Sequence, residues 1–446
     1  MAKLEDIVSL CKRRGFIFQG SDVYGGMAGT WDFGPLGVAL KRKIMQTWWK
    51  YWVDDREDML GVDAAIIMNP KTWVASGHTA TFSDPLVECN ECHGRFRADK
   101  LAKTAEGHDL STNITRDELM KAGIKCPTCG KINWGEVKQF NMMFETHVGA
   151  VSDETSVAYL RPETAQGIFT NYKNVVDNIY PDLPFGLAQQ GKAFRNEISP
   201  RDFIFRCREL EQMEIEYFVH PNDWERIFED LLKDIHVFLE KVMQLPEHMI
   251  HEYEVPAEDR AHYSKRTVDV EFDFPIGSEE LMGLAYRTDF DLQNVARASG
   301  KNMEYRDKKT GESFVPHVIE PSFGVERLVM AVLSAASHED EVNGEKRVFF
   351  LKLPEDFAPF RFCVSPLLKN KPELVEKAQQ VYQTLRKKYG NVTWDDSGNI
   401  GKRYRKQDEI GTPKCVVIDF DTLEDDTVTV RNRDTLEQVR VKIADL

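Results

Sequence analysis

The stretch GKAFRNEISPRDFIFRCRELEQME, Gly191 to Glu214, decides how the rest of the chain is read. Two apolar-flanked runs bracket a polar link, Asn196 to Asp202, in which Pro200 and Asp202 favour a turn. The spacing therefore predicts strand, loop, strand. Arg195, Arg201, Arg206 and Arg208 are interleaved with Glu197, Glu209, Glu211 and Glu214. A solvated, salt-bridged hairpin would show the same charge density. The spacing favours something more specific. Arg195 and Glu197 are two apart and share one strand face, as Arg206 and Arg208 do on the partner strand. Several guanidiniums on one sheet face suit a polyphosphate, because planar arginine forks bind phosphate oxygens in pairs.

Upstream, Leu36, Leu40, Ile44, Trp48 and Trp52 recur at every fourth position, one apolar helix face. A β-rich run, Val62 to Met68, follows and ends at Pro70. Tyr159 to Gly167 reads as a strand end turning into a helix with an acidic first turn at Glu163. Downstream, Asn222 is placed as an N-cap with Glu225 three residues on, and Phe228, Leu231, Ile235, Phe238 and Val242 form the buried face. Val268 to Phe274 alternates apolar and acidic residues, and a second strand carries Glu279 and Glu280 with Arg287 beyond it. Glu280 suits a phosphate-bound Mg²⁺, since hard cations take carboxylate and phosphate oxygens together; its rival role is a cross-strand partner for a basic residue. Gly324 before the apolar helix at Leu328 permits close backbone approach. Arg327 sits in that helix's first turn, against the dipole, which argues for more than a structural arginine.

Cys89, Cys92, Cys126 and Cys129 form two Cys-x-x-Cys pairs that would supply four thiolates to a structural Zn²⁺. The insert between them shows little apolar periodicity to hold it together otherwise. The alternatives are free thiols on a surface insertion, or a site whose ligands are partly lost. His93 is a possible substitute ligand, with a local surface role as its simpler reading. Cys11, Cys207, Cys363 and Cys415 are scattered, a reduced cytoplasmic pattern and not a disulfide framework.

A chain of 446 residues suggests about three domains at roughly 150 residues each. No apolar run is long enough for a membrane helix, and Met1 to Phe18 lacks the apolar core of a secretory signal. The net charge of −15 argues against a general nucleic-acid binder. From Glu355 to Leu446, however, sixteen Lys/Arg balance sixteen Asp/Glu, so the acidic excess lies upstream. This last part alternates strand and helix, with Phe360 to Val364, Pro372 to Tyr389 closed by Gly390, and Cys415 to Phe420, so it is read as a small α/β domain. Within it Lys402, Arg403, Tyr404, Arg405 and Lys406 put an aromatic ring inside a basic cluster. Such a run is usually a solvated face, but it also suits phosphate contact with base stacking.

Phe194-Arg195-Asn196-Glu197 followed by Arg206-x-Arg208-Glu209 resembles motif 2 of the class II aminoacyl-tRNA synthetases. The fuller wording, FRNEISPRDFIFR and then EQMEIEYF, is similar to the homodimeric glycyl-tRNA synthetases. The long helix, strand and Pro70 are similar to motif 1, a dimer-interface element, and Val318 to Arg327 to motif 3. The resemblance implies an α+β fold: a class II catalytic domain, an antiparallel sheet flanked by helices, with an inserted Cys-rich module and a C-terminal α/β anticodon-binding domain. The catalytic parts would be 1–88 and 139–353, the insertion 89–138 and the anticodon-binding domain 354–446.

The activity so implied is ATP-dependent attachment of glycine to tRNA(Gly) through a glycyl-adenylate, in a cytoplasmic homodimer that uses ATP with Mg²⁺. No membrane and no DNA partner are expected. In this resemblance Arg195 neutralises the α-phosphate, while Arg206 and Arg327 act on the distal phosphates and Arg327 stacks on adenine. Phe205 is a further surface for the base. Asn196, Glu197, Cys207, Arg208, Glu209, Leu210, Glu280, Leu281, Gly324, Val325 and Glu326 complete the ATP site. Glu163, Glu214, Glu320 and Ser322 meet the glycine ammonium. Arg97, Leu210, Glu211, Gln212, Met213, Arg287, Pro321, Phe323 and Gly324 complete the glycine site. Lys402 to Lys406 would touch tRNA. One rival is a catalytically inactive paralogue that binds nucleic acid, which could lose the phosphate arginines. Another is a different ATP-dependent carboxylate ligase on the same fold, which would not need the C-terminal domain.

Overall fold

In the computed structural model, which describes residues 2–103, 114–151, 153, 156–342 and 345–446, the expected hairpin lies inside a seven-stranded sheet. Its strands in chain order are β1 (Met59–Gly61), β2 (Phe185–Phe194), β3 (Glu209–Val219), β4 (Ile250–Glu254), β5 (Arg266–Phe274), β6 (Gly277–Thr288) and β7 (His317–Gly324). Across the sheet the order is β4-β5-β6-β7-β3-β2-β1. Neighbours are antiparallel except β1, which runs parallel to β2.

Strand alternation gives the sheet two different faces. Met213, Ile215 and Tyr217 of β3 and Ile319 and Phe323 of β7 enter a large apolar core. That core is shared with α1 (Leu4–Arg14), α2 (Pro35–Trp49), α4 (Trp224–Val237) and α6 (Val325–Ala336). Leu187, Phe218 and Val318 point the other way, into a smaller core with α3 (Ala165–Ile179) and α5 (Phe290–Ser299). The fourfold apolar spacing of α2 is buried as expected, and it continues through a π-helical turn, Lys50–Asp54, that keeps Trp52 fully buried. Trp48, Trp52 and Phe238 surround Phe323 at ring-centroid distances of 6.0, 6.0 and 5.7 Å.

Three local expectations change. The second strand of the hairpin begins at Glu209, because Phe203–Phe205 form a buried 3-10 turn and Asp202 and Phe203 take φ of 61° and 58°. Arg206 and Arg208 therefore lie in the loop and not on a strand. The strand expected over Val62 to Met68 is only an isolated bridge, Ile67 to Leu160, beyond the short β1. The helix at Trp224 is entered from Asp223, with no side-chain cap bond from Asn222.

The insertion is a three-stranded sheet, Ser83–Glu88, Arg95–Arg97 and Lys138–Asn141. It thus reaches beyond 89–138 at both edges, while its residues 104–113 lie outside the described residues. The sequence shows little to hold it apart from metal, yet Val87, Leu101, Ile114, Leu119, Ile124 and Trp134 form a core of their own. Trp134 Nε1 donates to Ile124 O at 2.8 Å. The pattern hides this core because its members come from separate short elements.

The C-terminal sheet comprises β8 (Phe362–Pro366), β9 (Val392–Trp394), β10 (Lys414–Ile418), β11 (Thr427–Asn432) and β12 (Gln438–Lys442), in the order β9-β8-β10-β11-β12. Helix α7 (Pro372–Tyr389) ends at Gly390, whose φ is 77°. Helix α8 (Ile400–Glu409) carries the basic run, and Arg14 Nε of α1 donates to its Glu409 at 2.6 Å. Among the described residues no helix is long and apolar enough to cross a membrane.

The entry into α2 is tight. A Cβ on Gly37 would stand 1.9 Å from the Phe16 carbonyl oxygen, and backbone cannot yield as a side chain can. Gly37→Ala is expected to cost about 2 kcal/mol or more, by the overpacking it forces. The control is Gly401→Ala in α8, where the nearest atom is 3.8 Å away and alanine is the better helix former. Thermal unfolding of both variants checks the contrast.

Candidate active site

Beyond the apolar α3–α5 contact, the second face of the sheet opens into a cavity of about 270 Å³. Glu163, Arg195, Gln212, Glu214, Tyr263, Asp269, Glu280, Glu320 and Ser322 are among its lining. Strand pairing builds much of it: Glu214 lies directly opposite Ser322, and Gln212 opposite Gly324. Ser322 Oγ donates to Glu214 Oε1 at 2.8 Å, and Thr164 Oγ1 to Glu214 Oε2 at 2.5 Å. Glu163 is reached by His78 Nε2 at 3.3 Å. Arg287, 1% exposed, donates through Nη1 to Glu320 at 2.8 Å and through Nε and Nη2 to Asp291 at 2.7 and 2.9 Å. Its guanidinium lies 3.7 Å from the centroid of the Tyr263 ring.

These carboxylates are not equivalent. Burial works against the Glu163 anion, but His78, Arg287 and Arg195 outweigh it and hold the group well below the usual carboxylate range. Burial pushes Glu214 up, and the charge on Glu163 adds to the rise. Glu320 is raised further, by burial and then by Glu214 and Glu163 against the opposing pull of Arg287. An acidic cluster of this kind is relieved by a cation, so the pocket favours an ammonium group.

Arginines stand on the cavity wall and beside it. Arg195 lines it, with Nε donating to Pro162 O at 3.0 Å. Arg327 bonds Glu280 through carboxylate and carbonyl at 3.0 and 2.9 Å and covers the Phe205 ring at 4.5 Å. Arg206 Nη1 stands 3.6 Å from Glu197. A Cβ added to Gly324 would first meet the Arg327 stem, at an ordinary 3.5 Å, so among the described residues the close approach expected there is not seen. Asp269, on β5 beside Glu280, is pushed up to about 7 by burial and by the Glu280 charge. Arg327 holds the Glu280 carboxylate below its ordinary range. The pair forms an oxygen-rich edge whose donors are of the type hard cations take.

Several expected site residues point elsewhere, and period-two alternation is the main reason. Glu211, Met213 and Phe323 face the other side of the sheet, Glu211 with Lys41 and the latter two in the core. Glu326 accepts from Glu211 N at 2.8 Å on that side. Leu281, Val325 and Cys207 are core residues, and Leu210 packs against them. Glu209 pairs with Lys192, and Asn196 N donates to Met142 O. Pro321 is buried in β7 opposite Leu284. Arg208 is held by Glu197 O and Ala28 O, so it braces the loop. Arg97 is taken up by Asp84 and Asp99 at 2.7 and 2.8 Å and does not line the cavity.

Residues that pattern reading missed are His78, Thr164, Asp291, Tyr263 and Asp269. Asp291 has a signal, four residues after Arg287, and Asp269 sits in a strand already read as alternating. His78 and Tyr263 arrive from segments distant in sequence and have none.

In the insertion, Cys89 and Cys129 Sγ are 3.7 Å apart, Cys92 and Cys126 Sγ 3.6 Å, and all four sulfurs lie within 4.8 Å of one another. A disulfide would need about 2.05 Å. Tetrahedral ligands at about 2.3 Å from zinc stand about 3.8 Å apart, so the donor set fits that ion. His93 is exposed and pairs with Glu88, away from this role. In α8 the basic run divides. Arg403 is 3% exposed and donates to four backbone carbonyls, those of Pro366, Asp396, Ser397 and Gly398. Lys406 pairs with Asp395 at 3.0 Å. Tyr404 is covered by Arg431 at 4.6 Å. Lys402 and Arg405 line open grooves with Arg13 and Arg14.

Residues 144–336 match the model of the tRNA synthetase class II core domain (G, H, P, S and T), and residues 361–446 that of the anticodon binding domain. A glycine–tRNA ligase of Malacoplasma penetrans is 48% identical over 99% of this chain and 96% of its own length. Those of Clostridium acetobutylicum and Caldanaerobacter subterraneus are 46% and 47% identical, over 99% of this chain and 97% and 96% of theirs. Agreement over essentially the whole length, together with a cavity lined by both the acidic cluster and Arg195, means that the chain belongs to the glycine–tRNA ligase family of class II synthetases.

Proposed function

We propose that this chain activates glycine with ATP and transfers it to tRNA(Gly). The observation that carries the reading is the company these groups keep: Glu163, Glu214, Glu320 and Ser322 line one cavity with Arg195 and Glu280, and Arg327 reaches it through its pairing with Glu280. The ammonium would sit among the acidic groups. The amino acid's carboxylate would then point at the arginines, where it can attack the α-phosphorus of ATP in line as the α–β phosphoanhydride bond breaks and pyrophosphate leaves. No protein nucleophile is needed, so positioning and charge stabilisation supply the catalysis. Arg195 takes the role of partner to the α-phosphate. Arg327 leaves Glu280 and Phe205 for the distal phosphates and adenine, with Arg206 beside it. Glu280 and Asp269 would hold a Mg²⁺ that shields phosphate charge when bound. Arg287 is a positioning residue for Glu320. The retained arginines and acidic pocket weigh against an inactive paralogue.

Residues 1–88 and 139–353 are assigned to the catalytic body, 89–138 to the core of the insertion and 354–446 to anticodon binding. The exposed side of α2, where Val38, Met45 and Trp49 line an open groove, is proposed as part of a homodimer contact. The free cysteines suit the cytoplasm.

Glycine-dependent pyrophosphate exchange tests the reading. Arg195→Ala is expected to lower it by about 10²- to 10³-fold, the usual loss of a transition-state charge partner. Glu214→Gln is expected to raise the glycine KM by about tenfold or more with little change for ATP, as one charged contact to the ammonium is lost. Wild-type protein that activates alanine or serine as well as glycine overturns the assignment.

The four thiolates are proposed to hold a structural Zn²⁺. Purified protein should contain about one Zn per chain, and chelation should lower the melting temperature. Metal-free protein with unchanged melting refutes it.

For tRNA, the accessible cations are the ones to remove. Neutralising Lys402 and Arg405 should weaken tRNA binding and flatten its salt dependence while leaving pyrophosphate exchange intact. Arg403→Ala should instead destabilise the C-terminal domain, since four carbonyls lose their donor. Filter binding over a salt series and thermal unfolding separate the two.

A further inference from the structure

The cavity face of β3 runs Gln212, Glu214, Glu216, Phe218, from polar to apolar, and Glu216 sits where the pocket meets the smaller core. It is 0% exposed, and among the described residues neither carboxyl oxygen has a hydrogen-bond partner. The pairing that sets Glu214 opposite Ser322 and Tyr217 opposite Ile319 sets Glu216 opposite Glu320. Carboxyl oxygens of Glu214, Glu216 and Glu320 lie within 4.8 Å of one another. Leu187 faces Glu216 from β2, and α3 brings the neutral Phe169 and Tyr172 to this side of the sheet. The charged groups acting on it are Glu320 on β7, Arg287 near the end of β6, Glu214 on its own strand and Asp291 in α5. Glu163, with His78 behind it, lines the same cavity. Arg287 is already held by Asp291 and Glu320. Like charges so close cannot all ionise in a buried site.

We propose that Glu216 is the proton store of the ammonium pocket: a neutral carboxylic acid while the pocket is empty, which ionises when the ammonium of glycine or glycyl-adenylate docks on Glu214 and Glu320. The inference rests on the glycine reading above. One O–H bond breaks, its electron pair stays on the carboxylate, and the proton leaves to solvent through the cavity. The arriving ammonium replaces that positive charge, so the pocket's net charge is conserved. Glu216 does not touch the substrate; it is a positioning residue that lets a strongly acidic pocket fold without its ligand. Burial, with the neighbouring Glu320 charge, raises Glu216 well above the carboxylate range in the empty pocket, in line with this role. The sign follows. A group raised in the free protein and lowered by the bound ammonium releases its proton on binding, so glycine binds more tightly as pH rises, until the empty pocket is itself ionised.

The test is isothermal titration calorimetry of the full chain with a non-hydrolysable glycyl-adenylate analogue, in two buffers of different ionisation heat. Wild-type protein should release about one proton per analogue bound near neutral pH. Glu216→Gln, isosteric with the neutral acid, should bind the analogue within about tenfold of wild type and release about none. In parallel, the fall of the glycine KM with rising pH should flatten in the variant. Binding with the same proton count in both proteins overturns this proposal alone. No binding by wild type overturns the glycine reading together with it. The wild-type protein also decides without the variant: release should decline at higher pH, once the empty pocket is itself ionised, and a release that stays the same across the pH series refutes the proposal.

Discussion

The buried guanidinium of Arg287 is what the acidic floor of the site depends on. It meets Asp291 through two nitrogens and Glu320 through a third, with Tyr263 stacked on its face. Without it those carboxylates would be buried charges with no counter-ion, which costs several kcal/mol each. With it, Glu320 is fixed in direction and Glu214, set by Thr164 and Ser322, stands beside it. The floor is therefore positioned by bonds within the protein itself. A preset floor of this kind suits a ligand held by its charged ends rather than by a side chain.

The arginine side is arranged differently. Arg327 and Arg206 are paired with Glu280 and Glu197, and the Phe205 ring is covered by Arg327. These are exchangeable contacts at a partly open surface, so a polyanion can take the arginines over at small cost. Arg208 is not exchangeable in that way, because backbone carbonyls hold it. The acidic floor is thus set in advance and the arginines are provisionally neutralised. Both border the same sheet, with its opposite face packed against α2 and α6.

Much of this was legible from residue patterns. The α2 spacing, the alternation of β5 and the glycine-closed α7 all appear where the sequence places them, because each is a local periodicity with a local stop signal. The two Cys-x-x-Cys pairs announce a four-sulfur cluster, which the structure brings together. Contiguous motif stretches were less faithful guides. In Leu210 to Glu214 only Gln212 and Glu214 turn toward the cavity, and in Pro321 to Gly324 Phe323 turns away. Arg403 reads in sequence as one member of a basic cluster and is instead a buried strut.

The sequence by itself determined which chemistry this chain carries: arginines with glutamates on a hairpin, an arginine at a helix start beside a glycine, and thiolates in pairs. Residue types and near-neighbour spacing encode that much, since they set local conformation and charge. Only the tertiary structure decided which of those groups share a space. Glu163, Glu214, Glu280 and Glu320 come from four separate elements, and His78, Tyr263 and Asp291 complete their surroundings from others. The ionisation of each carboxylate follows from that assembly, because burial and the distance to Arg287, and not the identity of the residue, set the energy of its charge.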